Sequence, residues 1–346
     1  MTEKEDIKDG LVEEFYDNDQ LKSRGNYKKG KQEGPWREFF DNGQLHQKVT
    51  FKDGKQEGVF ESFFENGQPE RRGNTKKGKQ EGPWKEFHEN GQLKGKGNYK
   101  NGEPDGFVEN FHENGQLYVK SNWKNGKEHG SMESYNKRGQ LEQKSNFKNG
   151  VLDGLREFFH KNGQLDHKEH WKNGKENGLY EEFHENDQLK GKGNYKNGKQ
   201  VGSWEWFREN GSLESRDNFK DGKDDVFSEE FYKNGQLKRR GNVKNGKLDG
   251  LNEKFYENGQ LEYKRNYKDG KQDGLLEVFY ENSQLQFKGH YKNGKEEGMF
   301  EHFLENGQPE RRGNSKNGKR EGLWEYFDED GNVIKTEEYK DGELIE

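Results

Sequence analysis

The chain has 346 residues, of which 25% are hydrophobic and 37% charged, with a formal net charge of −6; so few apolar residues exclude an ordinary globular enzyme built round buried cores. Disorder is excluded in turn, because 24 Phe, 15 Tyr and 7 Trp are too many rings for a solvated coil. The lack of cysteine removes disulfides, thiolate metal sites and a cysteine nucleophile, and charges of both signs spread evenly at pI ≈ 6.0 leave no basic nucleic-acid domain.

The opening residues, Met1 to Gly10, show neither the basic nor the apolar segment of a signal peptide, and no stretch approaches the ~20 apolar residues of a bilayer span. A soluble, cytoplasmic protein is expected. From Gly10 onward a glycine recurs every 24 residues, giving units that begin at residues 10, 34, 58, 82, 106, 130, 154, 178, 202, 226, 250, 274, 298 and 322, with Val226 alone breaking the series. Residues 1–9 are then a leader and residues 10–345 one continuous repeat domain.

Numbering each unit from that glycine, the stretch Gly82 to Asp105, GPWKEFHENGQLKGKGNYKNGEPD, shows the pattern. Two turn signals, Asn90-Gly91 and Asn101-Gly102, separate short segments rich in aromatic residues, the strongest local sign of a hairpin. Position 21 is glycine in every unit; position 10 is glycine except at Asp19, Asp187 and Ser283. Turn signals this frequent leave no room for helices. The expected fold class is all-β: an elongated single-layer antiparallel β-meander or solenoid of fourteen 24-residue β-hairpin repeats, about 28 strands extending on the order of 130 Å at ~4.8 Å per strand.

The steadiest apolar columns are position 6 (Phe15, Phe39, Phe63), position 12 (Leu21, Leu45, Leu93) and position 18 (Tyr27, Phe51, Tyr99). If each Asn-Gly turn is a three-residue loop with a glycine bulge, these even positions share one face, forming an aromatic ladder. A register shifted by one separates position 6 from position 18 and sets Glu at position 4 against Lys or Arg at position 15, as Glu13 with Arg24. The aromatic register is favoured, because buried rings outweigh surface ion pairs of about 0–1 kcal/mol.

Units such as NGQLKGKGNYKNG followed by GPWKEF resemble the variant MORN repeat, of the membrane occupation and recognition nexus type. The resemblance implies an antiparallel-sheet scaffold. In bacteria it further implies kinship with YwqK-type antitoxins of toxin–antitoxin systems, and some members of the wider family contact lipid or dimerise through terminal repeats.

The charges sort by edge. Position 8, beside the first turn, is acidic in most units, and position 19, beside the second, is always Lys, from Lys28 to Lys340, with a further Lys commonly at position 22. That lysine margin reads either as solvated turns or as a steering surface for an acidic partner or anionic lipid. Four histidines fall at position 7, His88, His112, His160 and His184, but two strands of ~10 Å separate successive ones, too far to share a metal. His167 and His170 point to opposite faces. Carboxylates repeat identically, no nucleophile elbow occurs, and Gly95-Lys96-Gly97 lies inside a strand with no helix to follow, so no catalytic, metal or cofactor site is expected.

Variable columns carry more information. Positions 3 and 5 scatter large aromatics on what the favoured register makes the second, displayed face, and the expected partner contacts are Trp36, Trp84, Phe158, Trp204, Trp206, Trp324 and Tyr326, with Trp204, Trp206 and Phe207 the densest cluster. Pro69 with Thr75 and Pro309 with Ser315 interrupt the apolar columns, and bends or loosened pairing are expected there. Paired acids at Glu337 and Glu338 are expected to discourage edge-to-edge addition. The expected function is a non-enzymatic protein-binding scaffold, in the finer reading a bacterial antitoxin or immunity protein clamping a toxin domain. A homodimer through an exposed face and a lipid-associated scaffold using the lysine edge are the alternatives.

Overall fold

The structure, a computed structural model, describes residues 9–345, with only the backbone described at residues 224–226. Most of the expected leader, Glu346 and the side chain of Val226 therefore lie outside the described residues. The described residues form a 32-stranded antiparallel arrangement without helices. The chain divides into two compact parts, residues 1–175 and 176–346. Within each part strands pair with the ones adjacent in chain order, an interrupted strand pairing in both its pieces with the strand before it, and among the described residues no pairing joins elements distant in sequence, which is the single-layer meander expected. Lys79–Gln80, Glu103–Pro104, Val151–Leu152 and Glu343–Leu344 are two-residue strands; the first three are separated from the next strand by one unpaired residue.

The two turns of each unit differ. At the first, Tyr16 N donates to Gln20 O at 2.8 Å and Asp19 N to Tyr16 O at 3.0 Å, while position 10 adopts a left-handed φ of 60° at Asp19 and 83° at Gly43. This is the three-residue loop with a glycine bulge. At the second, Lys29 and Gly30 take φ of 52° and 69°, the two-residue type I′ turn whose twist suits a hairpin.

A further β-bulge overturns the favoured register. In the strands Lys199–Phe207 and Leu213–Lys220, Trp206 pairs with Ser215 but Phe207 pairs with Leu213, so Glu214 is an extra residue. The same skip at position 13 recurs from Phe15↔Leu21 to Phe327↔Val333. Beyond it position 4 faces position 15 (Glu13↔Arg24) and position 3 faces position 16 (Trp204↔Asp217). The supposed aromatic ladder is thereby split: position 6 stays with position 12, and position 18 joins positions 3 and 5 on the opposite face.

That second face holds the core. Trp36, Trp84, Trp204, Phe300 and Trp324, all at position 3, are at most 9% exposed. Single-layer burial this deep requires the ring to lie flat on bare backbone, and position 16 of the preceding unit supplies it. A Cβ on Gly25 would sit 1.8 Å from the Trp36 ring, one on Gly193 2.1 Å from Trp204, and one on Gly289 or Gly313 2.3 Å from Phe300 or Trp324. Position 18 closes the flanks: Tyr195 stands edge-on to Trp204 at 5.1 Å and Phe219 does so at 6.3 Å. Such aromatic contacts add about 0.5–1.5 kcal/mol each beyond burial.

The other face is an ion-pair lattice. Arg216 lies 3.1 Å from Glu205 in its own unit and 3.2 Å from Glu229 in the next, while Lys192 reaches Glu205 at 2.9 Å. These cations also cover the position-6 rings, Lys192 over Phe207 at 5.5 Å and Arg312 over Phe327 at 5.2 Å. Both prolines, Pro69 and Pro309, stand at the first residue of their strands, and pairing with the strand before keeps the common register through Phe63↔Pro69 and Phe303↔Pro309; on the other side Pro69–Lys76 pairs in two pieces, with Lys79–Gln80 and Gly82–Phe87, whereas Pro309–Lys316 pairs with the unbroken strand Lys319–Phe327. Thr75 and Ser315 are small enough to be buried there.

Candidate protein-binding face

Each turn is tied to the next unit by side chains. Asn18, Asn66, Asn90 and Asn234, at position 9, accept from the backbone two residues on and donate across to the position-8 carbonyl of the following unit, Asn18 to Asp41 O at 2.9 Å. Position 7 donates to the following position-6 carbonyl: Tyr16 to Phe39, Tyr232 to Phe255 and Tyr280 to Phe303, at 2.8 to 2.9 Å. The position-7 histidines do the same work, His88 against Phe111 O and His184 against Phe207 O at 3.2 and 2.9 Å. Acids at position 24 accept from turn amides one unit on, as Glu57 does from Lys77 N at 2.7 Å. Among the described residues no His, Asp or Glu cluster could hold a metal ion.

The expected contact residues divide on burial. Trp36, Trp84, Trp204 and Trp324 form the core, and their assignment as displayed contacts is corrected by the bulge, which turns position 3 onto backbone. Phe158, Trp206 and Tyr326, at position 5, remain half-exposed on the same face. Each stands opposite position 14: Phe158 with His167, Trp206 with Ser215, Tyr326 with Lys335. Phe158 and His167 stack at 4.2 Å. The importance of position 14 was not readable in the sequence, because the bulge decides which residue opposes position 5.

This face changes chemistry from unit to unit. Arg156 replaces the ring at position 3 and its Nη1 lies 3.5 Å from the buried Glu169, which also accepts from Trp171 Nε1 at 2.8 Å. Near the other terminus, Tyr326 and Tyr339 donate to Glu337 at 2.6 Å each, and Arg320 donates to both hydroxyls at 3.0 and 2.9 Å. Hydrogen bonds from Lys335, Tyr326 and Tyr339 pull the Glu337 carboxyl down to about 2. Burial and the bond to Glu337 push the Tyr326 phenol up to about 12.

The lysine margin has an unexpected geometry. Positions 19 and 22 are directly opposed, so Lys28 faces Lys31, Lys124 faces Lys127 and Lys316 faces Lys319, arrangements that repel. Position 2 adds exposed apolar side chains on the same face, among them Val59 and Phe107, the latter under Lys120 at 5.3 Å. No helix among the described residues is long and apolar enough to cross a membrane.

The MORN repeat variant model matches thirteen segments from residues 8–29 to 320–341, including 32–53, 80–101, 176–197 and 272–293. The chain belongs to the MORN repeat variant family. Most matched segments hold one first-turn hairpin with its flanking strands, the unit that the hydrogen bonds define. No curated protein matches the chain. Among solved structures, the crystal structure of TcdB2-TccC3 is 11% identical with a TM-score of 0.17 and covers 94% of this chain and 18% of its own. The TcdB2-TccC3-Cdc42 crystal structure is 9% identical at the same TM-score, with 94% of this chain and 23% of its own covered. This repeat chain thus spans about a fifth of the length of those chains.

Proposed function

We propose that this MORN-repeat scaffold is non-enzymatic and binds a protein partner along the face that carries positions 5 and 14. The observation that supports the reading is the division of labour among residues. The recurring glycines, asparagines, position-7 donors and position-24 acids serve the frame, whereas at positions 5 and 14 Phe158 and His167 in the first part, and Trp206 with Ser215 and Lys254 with Tyr263 in the second, are half-exposed and differ from unit to unit. A regular frame with a varied display column suits recognition of one specific surface, with exposed aromatics as its anchors. Affinity capture from the source cells tests it: a partner held by the wild type and lost on Trp206→Ser/Phe158→Ser is expected, and a partner held equally by the variant, or none, contradicts it. Self-association lost on the same substitutions identifies the partner as a second copy.

The narrower role, a bacterial antitoxin that neutralises a toxin by direct binding in the cytoplasm, is proposed from the family resemblance. Co-expression with the product of a neighbouring gene tests it by rescue of growth. A second reading, association with anionic membrane surfaces, is favoured by the unpaired Lys–Lys rungs beside exposed Val59 and Phe107. Flotation with phosphatidylserine vesicles that appears at low salt and fades at physiological salt supports it; none at low salt removes it.

A further inference from the structure

The first-turn margin of the first compact part departs from the repeat at two consecutive units. Position 7 carries a hydrogen-bonding side chain in Tyr16, His88, His112, His184, Arg208 and Tyr232, each reaching the next position-6 carbonyl. Phe40 and Phe64 occupy the same position and have nothing to donate. The carbonyls of Phe63 and Phe87 therefore lack the side-chain bond their counterparts receive.

Open hollows form beside both. The first is lined by Phe40, His46 and Phe64, with Glu65, Glu70 and Glu89 at its rim; Phe40 and His46 pack at 4.5 Å. Phe64 and Glu89 also line the next hollow, with His88 and Glu113. His88 and Glu113 continue into a third, with His112 and, at its far rim, Lys137. The three hollows share walls, and successive ones are two strands apart, ~10 Å. Lys94, which borders the second, is held at 3.1 Å by Glu86, whereas Glu65, Glu70 and Glu89 take part in no ion pair among the described residues.

We infer that this margin docks a basic segment of a protein partner, seating an arginine or lysine side chain in each hollow. Carboxylates at the rim repel anions, and an apolar ligand would desolvate them without compensation. A guanidinium satisfies both features, donating to carboxylates and, in the first two hollows, to the freed carbonyls of Phe63 and Phe87, while lying over phenyl faces. The spacing selects the partner's pattern. A polyproline-like chain has three residues per turn and advances ~3.1 Å per residue, so cations at every third residue stand on one side and match hollows ~10 Å apart. This inference rests on the protein-binding reading and names the partner chemistry at a different margin from positions 5 and 14.

The test uses the full chain and a labelled peptide, Arg-Ser-Ser-Arg-Ser-Ser-Arg, followed by fluorescence polarisation at low salt. Binding at least about tenfold tighter than by the citrulline version, and tighter than by a peptide with the three arginines contiguous, is expected. Glu65→Gln/Glu89→Gln should weaken it about tenfold. Phe64→Tyr, which restores the donor for the Phe87 carbonyl, should weaken it while holding or raising Tm. Equal binding of the citrulline peptide, unchanged affinity in Glu65→Gln/Glu89→Gln, or no binding at millimolar peptide overturns the inference. If the peptide fails while Trp206→Ser/Phe158→Ser still abolishes partner capture, this margin is discarded and the scaffold reading stands.

Discussion

The surroundings of Trp204 and of Arg156 occupy the same columns and solve the same problem in opposite ways. Trp204 lies on the bare backbone of Gly193 with rings along both flanks and is 1% exposed. Arg156 meets Glu169 across the strand pair, with the guanidinium over the Phe158 ring at 4.5 Å. Position 3 thus accepts either a large ring on glycine or a paired charge on a carboxylate. The frame of turn bonds and position-4 ion pairs is common to both, so the column can vary without changing the fold. Stability should nevertheless be concentrated at Trp204, because burial of a ring is a net gain whereas a buried ion pair roughly offsets its desolvation.

The sharpest way to break this contrast is Trp204→Ala, expected to cost about 3–5 kcal/mol by chemical denaturation, as for large aromatic truncations in cores. Arg156→Leu should cost about 1–3 kcal/mol by stranding the Glu169 carboxylate, a figure discounted because the arginine is partly exposed. Adding Glu169→Gln to Arg156→Leu removes the stranded charge and should recover most of that loss; a double variant less stable than the single one would refute the ion-pair account of this column. Gly193→Ala, which puts a methyl into the Trp204 ring, is expected to cost about 1–3 kcal/mol, while Ser145→Ala, in a column place with no ring above it, should cost only the hydrogen bond its hydroxyl accepts from Gln143, about 0.5–1.5 kcal/mol. Tyr232→Phe removes one inter-unit hydrogen bond and should cost about 0.5–1.5 kcal/mol.

The least global effect is expected at Glu337. Its carboxyl is depressed from 4.5 to about 2 in the folded chain, so its contribution is complete above the unfolded pKa and is lost as pH falls from about 4.5 through about 2. Hydrogen exchange near Trp324 should accelerate over that window in the wild type and change less in Glu337→Gln. Tyr326 has the opposite sign: raised from 10 to about 12, it stabilises fully below 10, and the effect disappears as pH climbs towards 12.

Fold class, unit length and the places of both turns were legible because glycine and asparagine declare backbone geometry locally; that the second is a two-residue turn was not. The face assignment was not. It hinges on one extra residue at position 13, which carries Lys22, His46, Glu70 and Glu214 in different units and has no signature of its own. A reading without that second bulge exchanged the core with the display surface and made Trp36, Trp84, Trp204 and Trp324 look like contacts. The pairing of Trp with a glycine eleven residues before it was the available clue: each of these four tryptophans follows a glycine at position 16 of the preceding unit. Phe40 and Phe64 were equally visible as phenylalanines in a column of donors, but their meaning needed the hydrogen bonds made by Tyr16 and His88.

Register is the claim on which all of this turns, and the absence of cysteine makes it directly measurable. Paired cysteines at Glu205 and Arg216 should be bridged rapidly by a short bifunctional thiol reagent, since these residues are opposed across the strand pair, whereas cysteines at Glu205 and Ser215 should not. Efficient bridging of the second pair with failure of the first would remove the bulge, return positions 6 and 18 to one face and contradict the account.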